Sequence, residues 1–275
     1  MGLKSEPRPV ALTAAGTDSG GGAGAVADVK TFEAHGVWAT VAITAVTAQN
    51  TVGVQAVHDL PAAVVRAQLE SVATDFNVAA FKTGMLASTE IVRVVAAAIR
   101  DLALPGPVVD PVLRSSAGQS LGGAGMAEAI VTHLLPLAAV VTPNLDEAAV
   151  LTGSDRITSA AAMEGAARAL AGAGAAAVLV TGGHVDWVGG APDCLLVRGQ
   201  PDVVWLEGPR HPSPHTHGTG CVLSAAIAAN IARGQDVEEA CRRAKKFVTE
   251  AIAAASDLGL GHGVGPVAPG GRVGQ

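Results

Sequence analysis

Apolar, β-rich stretches alternate with Ala-rich helical stretches along nearly the whole chain, and this order limits the fold more than any other feature. Strands are expected at residues 10–15, 37–46, 79–82, 107–110, 138–142 and 176–181. Helical spacing marks 23–34, 61–73, 89–101, 126–135, 145–151 and 159–170 between them, and 220–232 and 237–255 after them. Strand-helix-strand order of this kind implies an α/β fold with a mostly parallel central sheet and helices on both faces. Ligand chemistry then belongs at the carboxyl ends of the strands. Residues 193–206 differ, with two strand-like runs around Arg198-Gly199-Gln200-Pro201, and predict a hairpin on the sheet edge. No linker or repeat interrupts the order, so one domain over 1–275 is expected, with flexible tails at 1–9 and 268–275.

Hydrophobic residues at 49% and charged residues at 15% place the 275-residue chain among globular proteins able to bury a large core. Every apolar run is broken before membrane-spanning length, and residues 1–10 lack a secretory core region, so a cytoplasmic protein without membrane partners is expected. A net charge of −6 with scattered basic residues argues against nucleic acid. The basic cluster Arg242, Arg243, Lys245 and Lys246 follows acids on a predicted helix and suits a solvated face. Three widely spaced cysteines, Cys194, Cys221 and Cys241, fit reduced thiols.

Chemistry concentrates in three places. Ala15-Gly16-Thr17-Asp18-Ser19-Gly20-Gly21-Gly22-Ala23-Gly24 lies between a strand and a helix, where backbone N–H groups can meet an anion or a close ligand. Gly22-x-Gly24-x-x-Ala27 formally matches a dinucleotide fingerprint, but the next strand ends without the acid that holds a ribose. A plain glycine turn is the remaining reading. The absence of Gly-Lys-Ser/Thr excludes a Walker-type loop.

His217-Gly218-Thr219-Gly220-Cys221 opens an uncharged helix, whose partial positive start favours an anion such as a phosphoryl group. The same field is expected to lower the pKa of Cys221, which could otherwise be a plain buried cysteine. His211, His215, His217 and Cys221 also have spacings open to zinc. The third place is a set of strand ends. Asp110-Pro111 and Asn144-Leu145-Asp146-Glu147 suit Mg²⁺ held through water, Asn144 equally suits a helix cap, and Gly182-Gly183-His184 suits a turn or a nucleotide edge.

Taken together these segments resemble the hydroxymethylpyrimidine and phosphomethylpyrimidine kinases of thiamine biosynthesis, in the ribokinase-like superfamily. The carriers include Ala15-Gly16-Thr17-Asp18, Asp28-Val29-Lys30-Thr31, Thr44-Ala45-Val46-Thr47-Ala48-Gln49-Asn50, Lys82-Thr83-Gly84-Met85, Asp110-Pro111-Val112, Thr142-Pro143-Asn144, Gly182-Gly183-His184, His217 to Cys221 and Gly261-His262-Gly263. The resemblance implies a three-layer αβα fold, ATP and Mg²⁺ as cofactors, a pyrimidine alcohol as substrate, and a homodimer. It assigns Gly16, Asp28, Thr47, Gln49 and Met85 to the pyrimidine pocket and Gly218, Thr219 and Gly220 to the anion hole. Cys221 becomes the catalytic residue, Asn144, Thr181 and Gly183 the nucleotide contacts, and Asp110 and Glu147 the Mg²⁺ carboxylates. Thr181 and Ser116 stand where relatives commonly carry Lys, or Lys or Thr, which is expected to weaken the grip on ATP phosphates. A pyridoxal kinase is the nearest alternative, and a nucleotide-binding relative without kinase activity a more distant one.

Overall fold

Strand β1, Val10–Ala15, runs beside β2, Trp38–Ile43, in parallel register from Val10 opposite Trp38 to Ala15 opposite Ile43. Only a crossover can join parallel neighbours, and helix α1, Gly24–Ala34, supplies it. The computed structural model of the chain describes residues 8–113, 123–183 and 190–271.

After β2 the chain leaves the sheet at Thr44. Its N–H donates to Ala15 O at 3.1 Å, and its hydroxyl donates to Met85 O at 2.6 Å. Residues 37–46 are therefore not one strand. Ala45–Asn50 (β3) and Gly53–Asp59 (β4) form a separate antiparallel hairpin that stands off the sheet. β4 carries little hydrophobic signal because most of it is exposed, with no core face to pattern.

Helix α2 (Ala62–Ala73), β5 (Val78–Thr83), α3 (Thr89–Asp101) and β6 (Val108–Val109) follow. The expected helix at 126–135 is α4, Met126–Ala129, continuing as a π turn over Ile130–Leu134 and a 3₁₀ turn over Leu135–Leu137, where Pro136 cannot extend it. Then come β7 (Val140–Val141), α5 (Leu145–Thr152), α6 (Ala160–Gly172) and β8 (Ala177–Val180). The edge hairpin is β9, Asp193–Val197, and β10, Val204–Leu206. Helices α7, Thr219–Ala232, and α8, Val237–Ala254, complete the order.

The main sheet has the order β10-β9-β8-β7-β6-β5-β1-β2, parallel from β2 through β8 and antiparallel only at the edge hairpin. Alternate strand residues feed two cores, as a period of two requires. Leu12, Phe81, Val109, Val141 and Val178 pack under α2 to α6, while Ala11, Ala80, Val108, Val140 and Leu179 pack under α1, α7 and α8. This is a three-layer αβα fold. The order reverses at β1, where β2 lies on one side and β5 on the other, and at such a switch the strand ends open a crevice.

Of the tails expected at 1–9 and 268–275, residues 1–7 and 272–275 lie outside the described residues. Arg8 pairs with Glu33 at 2.8 Å, and Ala268 is buried and donates to Ala251 O at 3.1 Å, so these residues are docked on the sheet layers. No helix among the described residues is long and apolar enough to cross a membrane.

Candidate active site

The first glycine segment wraps around its own aspartate. Asp18 Oδ1 accepts from Gly20 N at 2.8 Å, and Oδ2 accepts from Gly22 N at 3.0 Å and Ala23 N at 2.9 Å. The second glycine segment reaches the same carboxylate, with His217 Nε2 2.8 Å from Asp18 Oδ2. Burial pushes Asp18 upward, but the bonds from His217 and the loop N–H groups outweigh it and hold the carboxyl below its ordinary 3.8. Asp18 is therefore ionised, and His217 is the donor.

Gly218 shows why the two segments need glycine. Its φ of +82° is left-handed, and a Cβ there would run into the Gly22 carbonyl. From this contact α7 begins. The N–H groups of Gly220 and Cys221 have no intrahelical acceptor in its first turn, and Gly220 is exposed toward the crevice. Thr219 is turned to another task, its hydroxyl donating to Thr216 O at 2.7 Å.

The hairpin supplies a second wall. Thr47 Oγ1 lies 2.8 Å from Thr17 O and 3.2 Å from Gln49 Oε1, and Gln49 N donates to Ser19 Oγ at 2.8 Å. Gln49 Nε2 lies 3.3 Å from His217 Nε2. That nitrogen already carries the hydrogen given to Asp18, so the amide hydrogen finds no lone pair there and stays available to a ligand. Gly16 N donates to Met85 O at 3.2 Å, and a Cβ on Gly16 would collide with the Met85 methyl. Gly16, Thr47, Gln49 and Met85 thus share one wall.

Asp28 does not join them. It has no exposed surface, and its carboxylate accepts from Lys82 Nζ at 3.0 and 2.9 Å and from the Thr13 hydroxyl at 2.7 Å. The expectation that it lines the pocket gives way to a place one layer below. Lys82, equally buried, also lies 3.9 Å from Asp110 Oδ2. Burial opposes the charge on Lys82, yet the Asp28 and Asp110 carboxylates keep it protonated above its ordinary range.

Asp110 ends β6, its N–H donating to Thr83 O at 2.9 Å and its Oδ2 accepting from Ser224 Oγ at 3.1 Å. A Cβ placed on Gly220 would sit 4.0 Å from both of its oxygens, so the carboxylate faces the first turn of α7. Burial raises its pKa against the pull of Lys82. Cys221 departs from expectation. Burial pushes its thiol up to about 12, against the pull of Lys82 and a backbone hydrogen bond at Gly24.

Asn144 and Glu147 form a capping box on α5, with Glu147 N donating to Asn144 Oδ1 at 2.9 Å and Asn144 N to Glu147 Oε2 at 3.0 Å. Burial, then the Asp110 charge, lifts Glu147 to about 8. Asn144 bridges Thr181, whose N–H donates to Pro143 O at 2.9 Å, and Gly183 is exposed beside it. Asp110, Asn144 and Thr181 therefore form a row across the ends of β6, β7 and β8. Two buried carboxylates of raised pKa on one side of this row suit a cation whose other ligands are water and phosphate oxygens. Ser116 and His184 lie outside the described residues.

The zinc reading fails on geometry. His217 is bonded to Asp18, His215 Nδ1 accepts from Gly265 N at 3.1 Å, and no group of three metal-ligating side chains occurs among the described residues. The residues missed from sequence, Asp18, Lys82 and Ser224, each also bond a partner far away in sequence, His217, Asp28 and Asp110 respectively. Lys82 Nζ reaches Asp28 across 54 positions, and no local pattern signals such a partner.

The phosphomethylpyrimidine kinase family model matches residues 18–268. The chain belongs to the phosphomethylpyrimidine kinase family. It is 47% identical to the hydroxymethylpyrimidine/phosphomethylpyrimidine kinase of Streptomyces coelicolor, over 97% of this chain and 96% of that one. The corresponding kinase of Haemophilus influenzae is 44% identical over 92% and 94%. Among solved structures, an ADP complex of Bacillus subtilis pyridoxal kinase matches with a TM-score of 0.87 at 36% identity, covering 96% of this chain and 98% of that one. The Clostridium difficile phosphomethylpyrimidine kinase matches with a TM-score of 0.78 at 37% identity, covering 89% and 100%. Backbone shape is thus shared by pyrimidine and pyridoxal kinases, while the Streptomyces and Haemophilus kinases share more sequence with this family member than either solved structure does. The dinucleotide reading of Gly22-x-Gly24-x-x-Ala27 lapses with this family assignment.

Proposed function

We propose that this phosphomethylpyrimidine kinase family member transfers the γ-phosphoryl group of ATP to the hydroxymethyl oxygen of 4-amino-5-hydroxymethyl-2-methylpyrimidine, and a second to the resulting monophosphate. The observation that carries this reading is the spacing of 3.3 Å between Gln49 and His217. It sets an amide able to read an aminopyrimidine edge against the residue that precedes the anion-binding turn, so base and phosphoryl sites share one crevice.

Gly16 and Met85 flank the ring, and Gln49 and Thr47 read its polar edge. The alcohol oxygen attacks phosphorus in line, the bond from Pγ to the bridging oxygen breaks, and ADP leaves. Charge on the moving phosphoryl oxygens meets the N–H groups of Gly220 and Cys221 at the start of α7, as electrostatic catalysis requires. The hydroxyl proton leaves late and ends on the Asp110 carboxylate, whose pKa burial raises, while Cys221 stays a thiol hydrogen-bonded to Asp110. Asn144, Thr181 and Gly183 contact the nucleotide. Asp110 and Glu147 would hold Mg²⁺ largely through water, and the ion would supply charge neutralisation between the phosphates.

Phosphorus NMR of the pyrimidine alcohol with ATP and Mg²⁺ tests the reading. A phosphomonoester followed by a diphosphate ester is expected, and ATP turnover without either ester would overturn it. Sequence identity favours the pyrimidine over the pyridoxal alternative, although the pyridoxal kinase structure has the higher TM-score, 0.87 against 0.78. A dimer, implied by the family resemblance, is checked by light scattering.

A further inference from the structure

The basic cluster on α8 divides in two. Arg242 and Arg243 form i,i+4 pairs with Glu238 and Glu239 at the surface, and Lys246 is 80% exposed beside Glu250. Lys245 turns inward instead. Its side chain is 14% exposed, and its Nζ donates to Asp193 Oδ2 at 2.8 Å and to Ala191 O at 2.5 Å. Asp193, the first residue of β9 and 3% exposed, accepts Gly182 N on its other oxygen at 3.0 Å. The lysine stem runs under Gly208, where a Cβ would lie 3.0 Å from Lys245 Cε, and Ala191 N donates to Gly208 O at 3.3 Å.

One ammonium and one carboxylate thus gather Gly182, which follows Thr181, and Ala191, which precedes β9. Desolvating two charges is costly, and an apolar residue at 245 would fill the same volume. What an apolar residue lacks is a donor for a carboxylate and a carbonyl at once. Helix α8 also packs along α7, whose first turn faces the crevice. A tether from α8 to the end of β8 therefore fixes the Thr181 edge relative to the anion-binding turn.

We propose that Lys245, acting through Asp193, is a positioning residue that sets Thr181 and Gly183 at the spacing a nucleotide needs from the start of α7. The inference rests on the nucleotide reading of Thr181 and Gly183. Misplacement of a binding edge weakens binding more than it slows bound substrate.

Affinity for a non-hydrolysable ATP analogue is measured by calorimetry for wild type, Lys245→Met and the neutral pair Asp193→Asn/Lys245→Met, with amide exchange followed around residues 182 and 191. About tenfold weaker nucleotide binding is expected in both variants, with faster exchange at 191, and kcat at saturating ATP and KM for the alcohol within about twofold of wild type. The double variant avoids leaving Asp193 charged and unpaired, so it decides if the single variant fails to fold. Wild-type nucleotide affinity in the folded double variant would overturn the proposal, and so would its global unfolding, which would make the pair an element of fold stability. Thr181→Glu separates the two readings. If it leaves analogue binding unchanged, the nucleotide edge is misassigned; if it weakens binding while the double variant does not, the Lys245 inference alone fails.

Discussion

Lys82 Nζ lies 2.9 Å from Asp28 Oδ2 with both side chains fully buried, one layer beneath the crevice where the glycine segments meet. Removing one partner of such a pair strands the other charge. Lys82→Met should lower stability by about 3–5 kcal/mol, measured as a shift in urea midpoint. The Thr13 hydroxyl alone cannot hold an ionised Asp28. A midpoint within error of wild type would mean that water or a rearranged Asp110 replaces the lysine.

Cys221 presents a thiol, not a thiolate, to the first turn of α7. With its pKa pushed to about 12, on the order of 10⁻⁵ of it is ionised at pH 7, and iodoacetamide should label the ligand-free protein slowly. Cys194 and Cys241, likewise pushed to about 12, offer no faster site. Cys221→Ala should nevertheless lower kcat ~10²-fold, with little change in substrate KM, because its hydrogen-bonding role arises in the transition state. Steady-state kinetics that return a wild-type kcat would reduce Cys221 to packing.

Glu147 couples stability to pH. Burial lifts it from an ordinary 4.5 to about 8, so between these values the folded chain keeps a proton that the unfolded chain has released. Stability of the ligand-free protein should therefore be fullest below about pH 4.5 as far as this group is concerned, and fall as pH rises toward 8, by roughly 2–4 kcal/mol. Glu147→Gln keeps the bond to Asn144 N and removes the proton release. Denaturant titrations at pH 5 and pH 8 should show a flatter profile for the variant, and identical slopes would contradict the assignment.

Gln49→Leu removes the amide from the hairpin wall without disturbing the backbone bonds that Ser19 makes to residue 49. Each polar group of the pyrimidine left unpaired should cost about 1–3 kcal/mol. Calorimetry with hydroxymethylpyrimidine measures the loss directly, and unchanged affinity would move the ring elsewhere in the crevice.

Regular periodicity made the parallel sheet legible, since Val108-Val109 and Val140-Val141 are buried on both faces and leave continuous apolar runs. The two glycine segments were visible because left-handed turns such as Gly218 demand that residue. The hairpin at 45–59 is not legible in the sequence, which reads as one strand over 37–46, because β4 has no buried face to betray it. The burial of Asp28 and of Lys245 is hidden from the sequence for the same reason. Whether a charged side chain points to solvent or to a buried partner depends on segments far away in sequence, here Lys82 for Asp28 and Asp193 for Lys245.

Which alcohol is phosphorylated decides the substrate of the crevice. Coupled ADP-release kinetics on the purified full chain with ATP and Mg²⁺, comparing hydroxymethylpyrimidine, its monophosphate and pyridoxal, measure this most directly. The arrangement of Gly16, Thr47, Gln49 and Met85 predicts a kcat/KM for hydroxymethylpyrimidine at least ~10-fold above that for pyridoxal, the scale set by a donor and acceptor pair met or missed. A kcat/KM that favours pyridoxal, or no ADP release with either alcohol, would contradict it.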